Sequence, residues 1–441
     1  MSFVLTLLLL AQTEKPALAT SAPRQIALAK SLVTQLAAGE FEKATEGFDA
    51  TMKKGLPAAS LKPVWEGTLA LYGKFEQTGA TRVEAAPPYQ IIFVTLHFAR
   101  GRLDAKVVFN AEDKIAGFFF VPAGKYEMPT YVKPDSFRES EIQVGKGFFP
   151  LTGTLALPQG DGPFVAVILV HGSGPHDRDE TIGPNKPFRD LAQGLASQGI
   201  AVLRYEKRTK QHALTMALLG SNVTVKEETV SDAAAAVDTL TAQKQIDPGR
   251  IFVLGHSLGG MLIPRIAAAN DKIAGFISLA GSTRPMEDLV LEQTKYILSL
   301  EGELSDEARQ QLAQIEAQVA KVKSDEFTET TPAGELPLGV PAKYWLDLRG
   351  YDPAEAAKKI AQPLLILQGE RDYQVTLADF ARWRAAIGQR ENVKLIAYPQ
   401  LNHLFMAGKG KSVPAEYFEP GNVAEPVIVD IARWIQAQAL K

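Results

Sequence analysis

Four hundred and forty-one residues are too many for one ordinary domain and suit two. An apolar fraction of 46% and a charged fraction of 22% describe a globular chain with material for a large core, which excludes disorder as its main state. Lys+Arg 47 against Asp+Glu 50 leaves −3 with no long block of one sign, against a nucleic-acid-coating or polybasic membrane-surface protein, and the absence of cysteine excludes disulfide scaffolds, thiolate metal sites and thiol nucleophiles.

The chain opens on an apolar run, Phe3–Ala11, followed by polar Gln12–Lys15. It is too short to span a bilayer and lies where the apolar core of a secretion signal would lie, with Ala11 as a small residue for cleavage. Residues 1–20 are therefore expected to be a signal peptide that exports the chain to the periplasm or the exterior. No Lys or Arg precedes the run, so an N-terminal strand or helix of a cytoplasmic protein is the alternative. No later run reaches membrane-spanning length, and no integral membrane segment is expected in the mature chain.

Residues 21–132 read as a small α+β domain. Ile26, Ala29, Leu32, Val33 and Leu36 recur at helical spacing, Gly39 ends that helix, and amphipathic stretches follow at Phe41–Met52 and Leu61–Tyr72. The period then changes to two over Arg82–Glu84, Tyr89–Phe98, Arg102–Asn110 and Lys114–Val121, a meander of strands joined by Gly- and Asp-containing turns. Helices first and strands after argue α+β. The arrangement resembles the cone-shaped SnoaL-like domains, and in particular a domain of unknown function found ahead of bacterial hydrolases. Such domains often pair, so a homodimer is one arrangement that the resemblance implies.

Met128–Phe137, with two prolines and no periodicity, reads as a linker to a second domain at 133–441. Ile142–Leu157 looks like a hairpin, and Phe164–Val170 is a continuous apolar run of the kind buried on both faces. Thereafter helices and strands alternate: Phe188–Ser197, Ile200–Tyr205, Val230–Ala242, Ile251–Leu254, Leu258–Ala269, Ile273–Leu279, then Pro353–Ile360, Leu364–Gln368, Leu377–Ile387, Val393–Tyr398 and Ala424–Leu440. Repeated units of this kind imply a mostly parallel, doubly wound α/β sheet. An insertion at about 283–350 interrupts them. Within it Met286–Leu300 and a helix begun by Ser305-Asp306 carry apolar stripes.

Gly255-His256-Ser257-Leu258-Gly259 is a G-x-S-x-G string placed between an apolar strand and a helix, the setting in which a sharp turn presents a nucleophilic serine. A serine hydroxyl needs a base. In the chain order nucleophile, acid, histidine, His403 is the sole histidine after Ser257. Asp372, in a G-x-x-D-x-x-V turn after Leu364–Gln368, is the expected acid; Glu370 is the runner-up, with Glu287 or Asp288 as a further position. Backbone N–H groups of Leu258 and of Ser173, in His171-Gly172-Ser173-Gly174-Pro175, are the expected oxyanion donors, with Gly172 or Gly174 as alternatives to Ser173.

His171–Glu180, Gly183–Phe188, Leu203–Thr209, the serine turn, Tyr344–Pro353, Asp372 and His403 together resemble bacterial α/β-hydrolases of the carboxylesterase and serine-aminopeptidase-like group. The resemblance extends through most of 140–440 and implies an α/β-hydrolase fold with a helical cap at the insertion and a triad of Ser257, Asp372 and His403. One departure is Glu206, where Asp is expected before Lys-Arg. His171, His176, Asp177 and Asp179 have no recognised ligand spacing, so no metal and no cofactor are expected. Tyr344 and Trp345 are candidate pocket or core aromatics, and Arg284 and Arg349 either meet an acidic substrate group or face solvent.

These residues point to a serine esterase for short-chain or acetyl esters, small or glycan-linked, as the resemblance implies. A peptidase or amidase with the same triad is the enzymatic rival. A binding protein, with Tyr89, Phe93 and Phe98 as one exposed surface of the first domain, is the rival of another class.

Overall fold

The structure, a computed structural model, describes residues 22–300 and 302–439, so the apolar run at 3–11 lies outside it. The chain divides between Gly124 and Lys125 into two units, each with a core of its own.

In the first unit the helix Ala22–Ala37 buries Ala29, Leu32, Val33 and Leu36, the stripe that its spacing predicts. The single helix expected at 41–52 is instead two short ones, Phe41–Ala44 and Ala50–Gly55. They are parted because Gly47 and Asp49 pair through their backbones with Ile115, after which the Asp49 carboxylate accepts the Met52 N–H and starts the next helix. A longer helix, Ala58–Tyr72, precedes β1 (Phe75–Ala86), β2 (Tyr89–Phe98), β3 (Gly101–Phe109) and β4 (Ile115–Pro122), an antiparallel sheet in that order. The first half of β1 escapes pattern reading because its register slips twice, between Phe75 and Gln77 and between Thr78 and Thr81.

One sheet face packs against the helices through Ile92, Val94, Leu96 and Phe98 of β2 and Leu103, Ala105, Val107 and Phe109 of β3. Trp65 sits in that core with ring centroids 5.7 Å from Phe75 and 5.9 Å from both Phe98 and Phe120. Phe93 alternates to the other face, under the Arg82 guanidinium at 4.0 Å, whereas Tyr89 is exposed. Tyr89, Phe93 and Phe98 therefore do not form one exposed surface.

The second unit holds β5 (Phe137–Val144), β6 (Leu151–Pro158), β7 (Phe164–Val170), β8 (Ala201–Tyr205), β9 (Ile246–His256), β10 (Gly275–Leu279), β11 (Leu364–Gly369) and β12 (Val393–Tyr398). They form one sheet in the order β12-β11-β10-β9-β7-β8-β6-β5. The pairs from β8 to β12 are parallel, and the two that attach β6 and β5 are antiparallel. Apolar side chains of the central strands alternate between two cores, one on each face. Ala166, Ile168 and Val170 join the first; Val167 and Leu169 join the second, under the helices Pro187–Ala196 and Glu425–Ala439.

Three departures from the sequence pattern matter for the site. The stretch 128–137 is docked on this unit, with Tyr131 Oη donating to the Val423 carbonyl at 2.8 Å and Val132 buried. The helix expected at 258–269 is broken at Leu262 into Leu258–Met261 and Ile263–Ala269, since Pro264 has no N–H to continue the ladder. A second inserted stretch follows β8, with helices Arg208–Gln211 and Ala213–Leu219 whose Leu214 and Leu218 face outward and break any apolar stripe. The insertion between β10 and β11 carries Met286–Ser299 and Asp306–Lys323 as expected, the latter capped by Ser305, then Ala342–Leu348. No helix among the described residues is long and apolar enough to cross a membrane.

Trp65→Ala should lower the unfolding free energy of the first unit by about 3–5 kcal/mol, measured by denaturant titration. A loss below about 1 kcal/mol would contradict the view that this ring cluster anchors the core.

Candidate active site

β9 delivers the chain to Ser257 at φ 52°, ψ −114°, backbone that an L-residue adopts only under constraint. The constraint is close packing of main chain on main chain. A Cβ on Gly255 would stand 2.2 Å from the Gly259 carbonyl oxygen, and one on Gly259 would stand 2.4 Å from that of Val170. The helix starts at Leu258, whose N–H is one of the first-turn donors that the helix itself cannot satisfy. The Ser257 N–H donates to the Leu279 carbonyl at 2.8 Å, tying the turn to β10.

The turn after β11 and the loop after β12 bring Asp372 and His403 together, both buried, with His403 Nδ1 2.7 Å from Asp372 Oδ2. The other carboxylate oxygen accepts the N–H groups of Gln374 (2.7 Å) and Val375 (3.0 Å), so Asp372 is fixed as an acceptor. His403 Nδ1 must donate to it, which leaves Nε2 for proton exchange. Asn402 shapes the loop by accepting the N–H groups of Leu404 and Met406. Glu370 is exposed, and Glu287 and Asp288 lie in the insertion, where Asp288 pairs with Lys323; none of the three meets His403.

The loop after β7 lies against the serine, since a Cβ on Gly172 would stand 3.1 Å from Ser257 Cβ. Ser173, Ser257, Leu258, Met286, Leu289 and Val375 border a small chamber of about 90 Å³. A wider chamber of about 560 Å³ adjoins it and is bordered by Met216, Val223, Val340 and Tyr344; Ser173, Met286 and Leu338 belong to both.

A family model described as "Alpha/beta hydrolase family" matches residues 167–419, more than half of the chain, and one for a protein of unknown function (DUF3887) matches 29–118. Esterase EstD of Thermotoga maritima is 42% identical over 405 residues, which are 91% of this chain and 93% of that one. The chain belongs to the α/β hydrolase family. Among solved structures it is similar to Est1E from Butyrivibrio proteoclasticus, at 17% identity over 68% of this chain and 99% of the other, with a TM-score of 0.44. It is also similar to a puromycin-hydrolysing peptidase of Mycobacterium tuberculosis, at 15% identity over 82% and 48%, with a TM-score of 0.45.

Around the candidate site stands a layer of buried charge that pattern reading did not single out. Glu180 Oε1 accepts the Gly172 N–H at 2.7 Å, and Glu180 Oε2 lies 3.0 Å from His256 Nδ1. His256 Nε2 is 2.9 Å from the His403 carbonyl oxygen. A carbonyl at Nε2 and a carboxylate beside Nδ1 both favour a proton on the nitrogen that faces them, so the surroundings favour the imidazolium form beside a carboxylate. The Nδ1 contact is off-line for a directed hydrogen bond and acts as a charge contact. Burial is the largest influence on both groups and opposes their charges. It is outweighed by their mutual attraction, which lowers Glu180 to about 2 and, with the His403 carbonyl, raises His256.

The remaining candidates are structural. His171 Nε2 meets the Asp177 carbonyl at 2.9 Å and His176 Nε2 meets the Ser173 carbonyl at 2.6 Å, so each ring holds a turn of the loop. Arg284 spans buried Asp379, at 2.8 Å, and Glu292, while Arg349 caps the carbonyls of Val322 and Ser324 above the Phe327 ring. Neither is free to receive an acidic substrate. Glu206 takes the Arg178 guanidinium at 2.8 Å and stands away from the serine. Of the two aromatics, Tyr344 borders the wide chamber and Trp345 is core.

Burial lowers His171 to about 3, helped by the charges of His176 and Lys207 and opposed by Glu180. Its folded-state value lies below the ordinary 6.5, so as the pH falls from 6.5 toward 3 the unfolded chain gains a proton that the folded one refuses, and stability is lost in that window. The melting temperature of the wild type should therefore fall more steeply between pH 6.5 and 4 than that of His171→Asn. Equal slopes would place the acid sensitivity elsewhere.

Proposed function

We propose that Ser257 is the nucleophile of a carboxylic ester hydrolase, His403 its base and Asp372 the carboxylate that orients the base. The observation that carries this reading is the buried 2.7 Å contact of His403 Nδ1 with Asp372, in loops beside a serine held at positive φ. Ester hydrolysis follows from the family and from the full-length relationship to an esterase. Ser257 Oγ attacks the ester carbonyl carbon while His403 Nε2 takes its proton. The tetrahedral oxyanion is held by the N–H groups of Ser173 and Leu258. His403 then protonates the departing alcohol, and water repeats the sequence on the acyl-enzyme.

The two chambers support a substrate of unequal halves. The small one beside Ser257 suits a short acyl group, and the wide, mostly apolar one suits a larger apolar alcohol. Met286, Leu289 and Leu338 border one or both, which supports a cap role for the insertion at 283–350. The unit from Lys125 onward is then the catalytic region, and the unit up to Gly124 is an accessory domain outside the chemistry. The peptidase alternative lacks support: Glu228 is the one carboxylate bordering either chamber among the described residues. Its oxygens are engaged by Lys207 and Tyr344, leaving no counter-charge for a free α-amino group.

Wild-type protein should hydrolyse p-nitrophenyl acetate and butyrate far better than octanoate, with no turnover of L-aminoacyl p-nitroanilides. Ser257→Ala should abolish ester turnover, and Asp372→Asn should lower kcat about 10⁴-fold. Anilide turnover, or ester turnover that survives Ser257→Ala in folded protein, would overturn the reading. Met216→Trp should fill the wide chamber and raise KM for 1-naphthyl acetate at least tenfold while sparing methyl acetate; equal effects on both would refute the assignment of the alcohol to that chamber.

A further inference from the structure

The polar groups of Gly172 and Ser173 are almost fully engaged inside the protein. The Gly172 N–H goes to Glu180 at 2.7 Å and the Ser173 carbonyl to His176 at 2.6 Å. The Gly172 carbonyl accepts a hydrogen bond from the Lys207 ammonium, also at 2.7 Å. Of the four backbone N–H and C=O groups of Gly172 and Ser173, the Ser173 N–H is the one without a hydrogen bond to the described residues, and Ser173 borders the chamber that holds Ser257. The 172–173 peptide is trans, so its N–H points opposite to its C=O. An ammonium that draws the carbonyl one way therefore turns the N–H the other way.

The plane turns through ψ of Gly172, which glycine leaves free, and φ of Ser173, where a serine resists positive values, so backbone preference fixes the choice from one side only. A flipped plane would present a carbonyl oxygen where a developing oxyanion needs a donor, reversing stabilisation into repulsion. A charge-assisted hydrogen bond in a dry setting adds to what resists the flip. The Lys207 and Glu228 side chains are 3% and 9% exposed, with 2.6 Å between Nζ and Oε1. Glu228 supplies the counter-charge without which a buried ammonium would be costly, and its second oxygen accepts from Tyr344 Oη at 2.6 Å. Tyr344 belongs to the inserted helix Ala342–Leu348, so the chain of contacts runs from the insertion to the loop beside the serine.

We propose that Lys207, backed by Glu228, is a positioning residue for the oxyanion hole: by holding the Gly172 carbonyl it turns the Ser173 N–H toward the oxygen that becomes negative during ester hydrolysis. The inference rests on the reading of Ser257 as nucleophile and Ser173 as donor. Lys207 touches no reacting atom, and its effect is confined to states in which the carbonyl oxygen carries charge.

The test compares Lys207→Met with Lys207→Gln, each in a Glu228→Gln background so that no unpaired charge is buried, after circular dichroism and melting have established folding. With p-nitrophenyl acetate, Lys207→Met should lower kcat about 10²-fold, the effect of losing one oxyanion donor, with KM within about threefold. The affinity for butylboronic acid, whose serine adduct is tetrahedral and anionic, should fall by a similar factor, while the pH–rate profile keeps its midpoint. Lys207→Gln, which restores a neutral donor to the Gly172 carbonyl, should recover most of kcat. Should the Met variant not fold, the Gln variant is read against wild type, with most of kcat expected and a 10²-fold loss against the proposal. Folded Lys207→Met with unchanged kcat and boronate affinity, or a loss confined to KM, would overturn it. The underlying site reading fails separately, if Ser257→Ala retains activity or the wild type does not bind the boronate.

Discussion

Main chain packed against main chain at Ser257 is the constraint on which the site depends. The helix that starts at Leu258 lies so near the ends of β7 and β9 that no Cβ fits at Gly255 or Gly259. Under that crowding the turn has no relaxed alternative, and Ser257 is held at a positive φ that is otherwise unfavourable for serine. The same closeness recurs at Gly369, where a Cβ would stand 2.4 Å from the Leu401 carbonyl oxygen and so drive apart the turn bearing Asp372 and the loop bearing His403. Because β9 lies between β7 and β10 near the middle of the parallel strands, the loops after β7, β9, β11 and β12 open on the same edge of the sheet. Irregular backbone carries all the candidate groups, and the strands set where each loop begins.

Loops without regular hydrogen bonding need another source of rigidity, and here it is buried charge. Glu180 with His256, Lys207 with Glu228, and the Asp372 carboxylate with His403 are each a pair of which at least one member also holds a backbone N–H or C=O of a loop beside Ser257. Pairs of this kind add little net stability, because desolvation consumes much of the attraction. Their consequence is directional. An apolar substitute of equal volume would fill the space and leave the peptide planes free to rotate. The His256–Glu180 pair joins both sides of the site, since the same two residues hold the Gly172 N–H and the His403 carbonyl.

The parts that sequence reading recovers are those that a short window specifies. Phe164–Val170 and Val393–Tyr398 are strands with the predicted bounds, because short apolar runs between turn signals, broken only by Lys394 in the second, admit few alternatives. Ser257 and its flanking glycines are legible for the same reason. Asp372 could be preferred to Glu370 from local pattern, and the structure supplies the cause: the Glu370 backbone N–H donates to the Tyr398 carbonyl in the sheet extension while its side chain faces outward. Lys207 and Glu180 fall within sequence motifs that assign them no role. A charged residue in a loop motif ordinarily reads as solvated, and the partners that bury these two lie far along the chain. The stretch 210–229 carries no expected element either, although Met216, Val223 and Glu228 border the wide chamber. Its outward-facing Leu214 and Leu218 defeat the periodicity on which helix recognition depends.

On the proposed reading, rate and selectivity reside in different parts of the chain. The groups that would stabilise charge, namely the N–H of Leu258, that of Ser173 and the His403–Asp372 pair, sit on turns fixed by the sheet. The borders of the chambers come mainly from the two inserted stretches, through Met216, Val223, Met286, Leu338 and Tyr344. A change there alters which ester reaches Ser257 with its carbonyl oxygen between the two donors, a difference in binding and orientation. A change at the turns alters how strongly the charged intermediate is held once it forms. The two are joined at one place, where Tyr344 of the chamber wall donates to Glu228 and Glu228 holds Lys207 under the Gly172 carbonyl. An alcohol group that displaces Tyr344 would then be felt first in the orientation of the Ser173 N–H. Selectivity imposed at that wall would consequently be read in kcat as well as in KM.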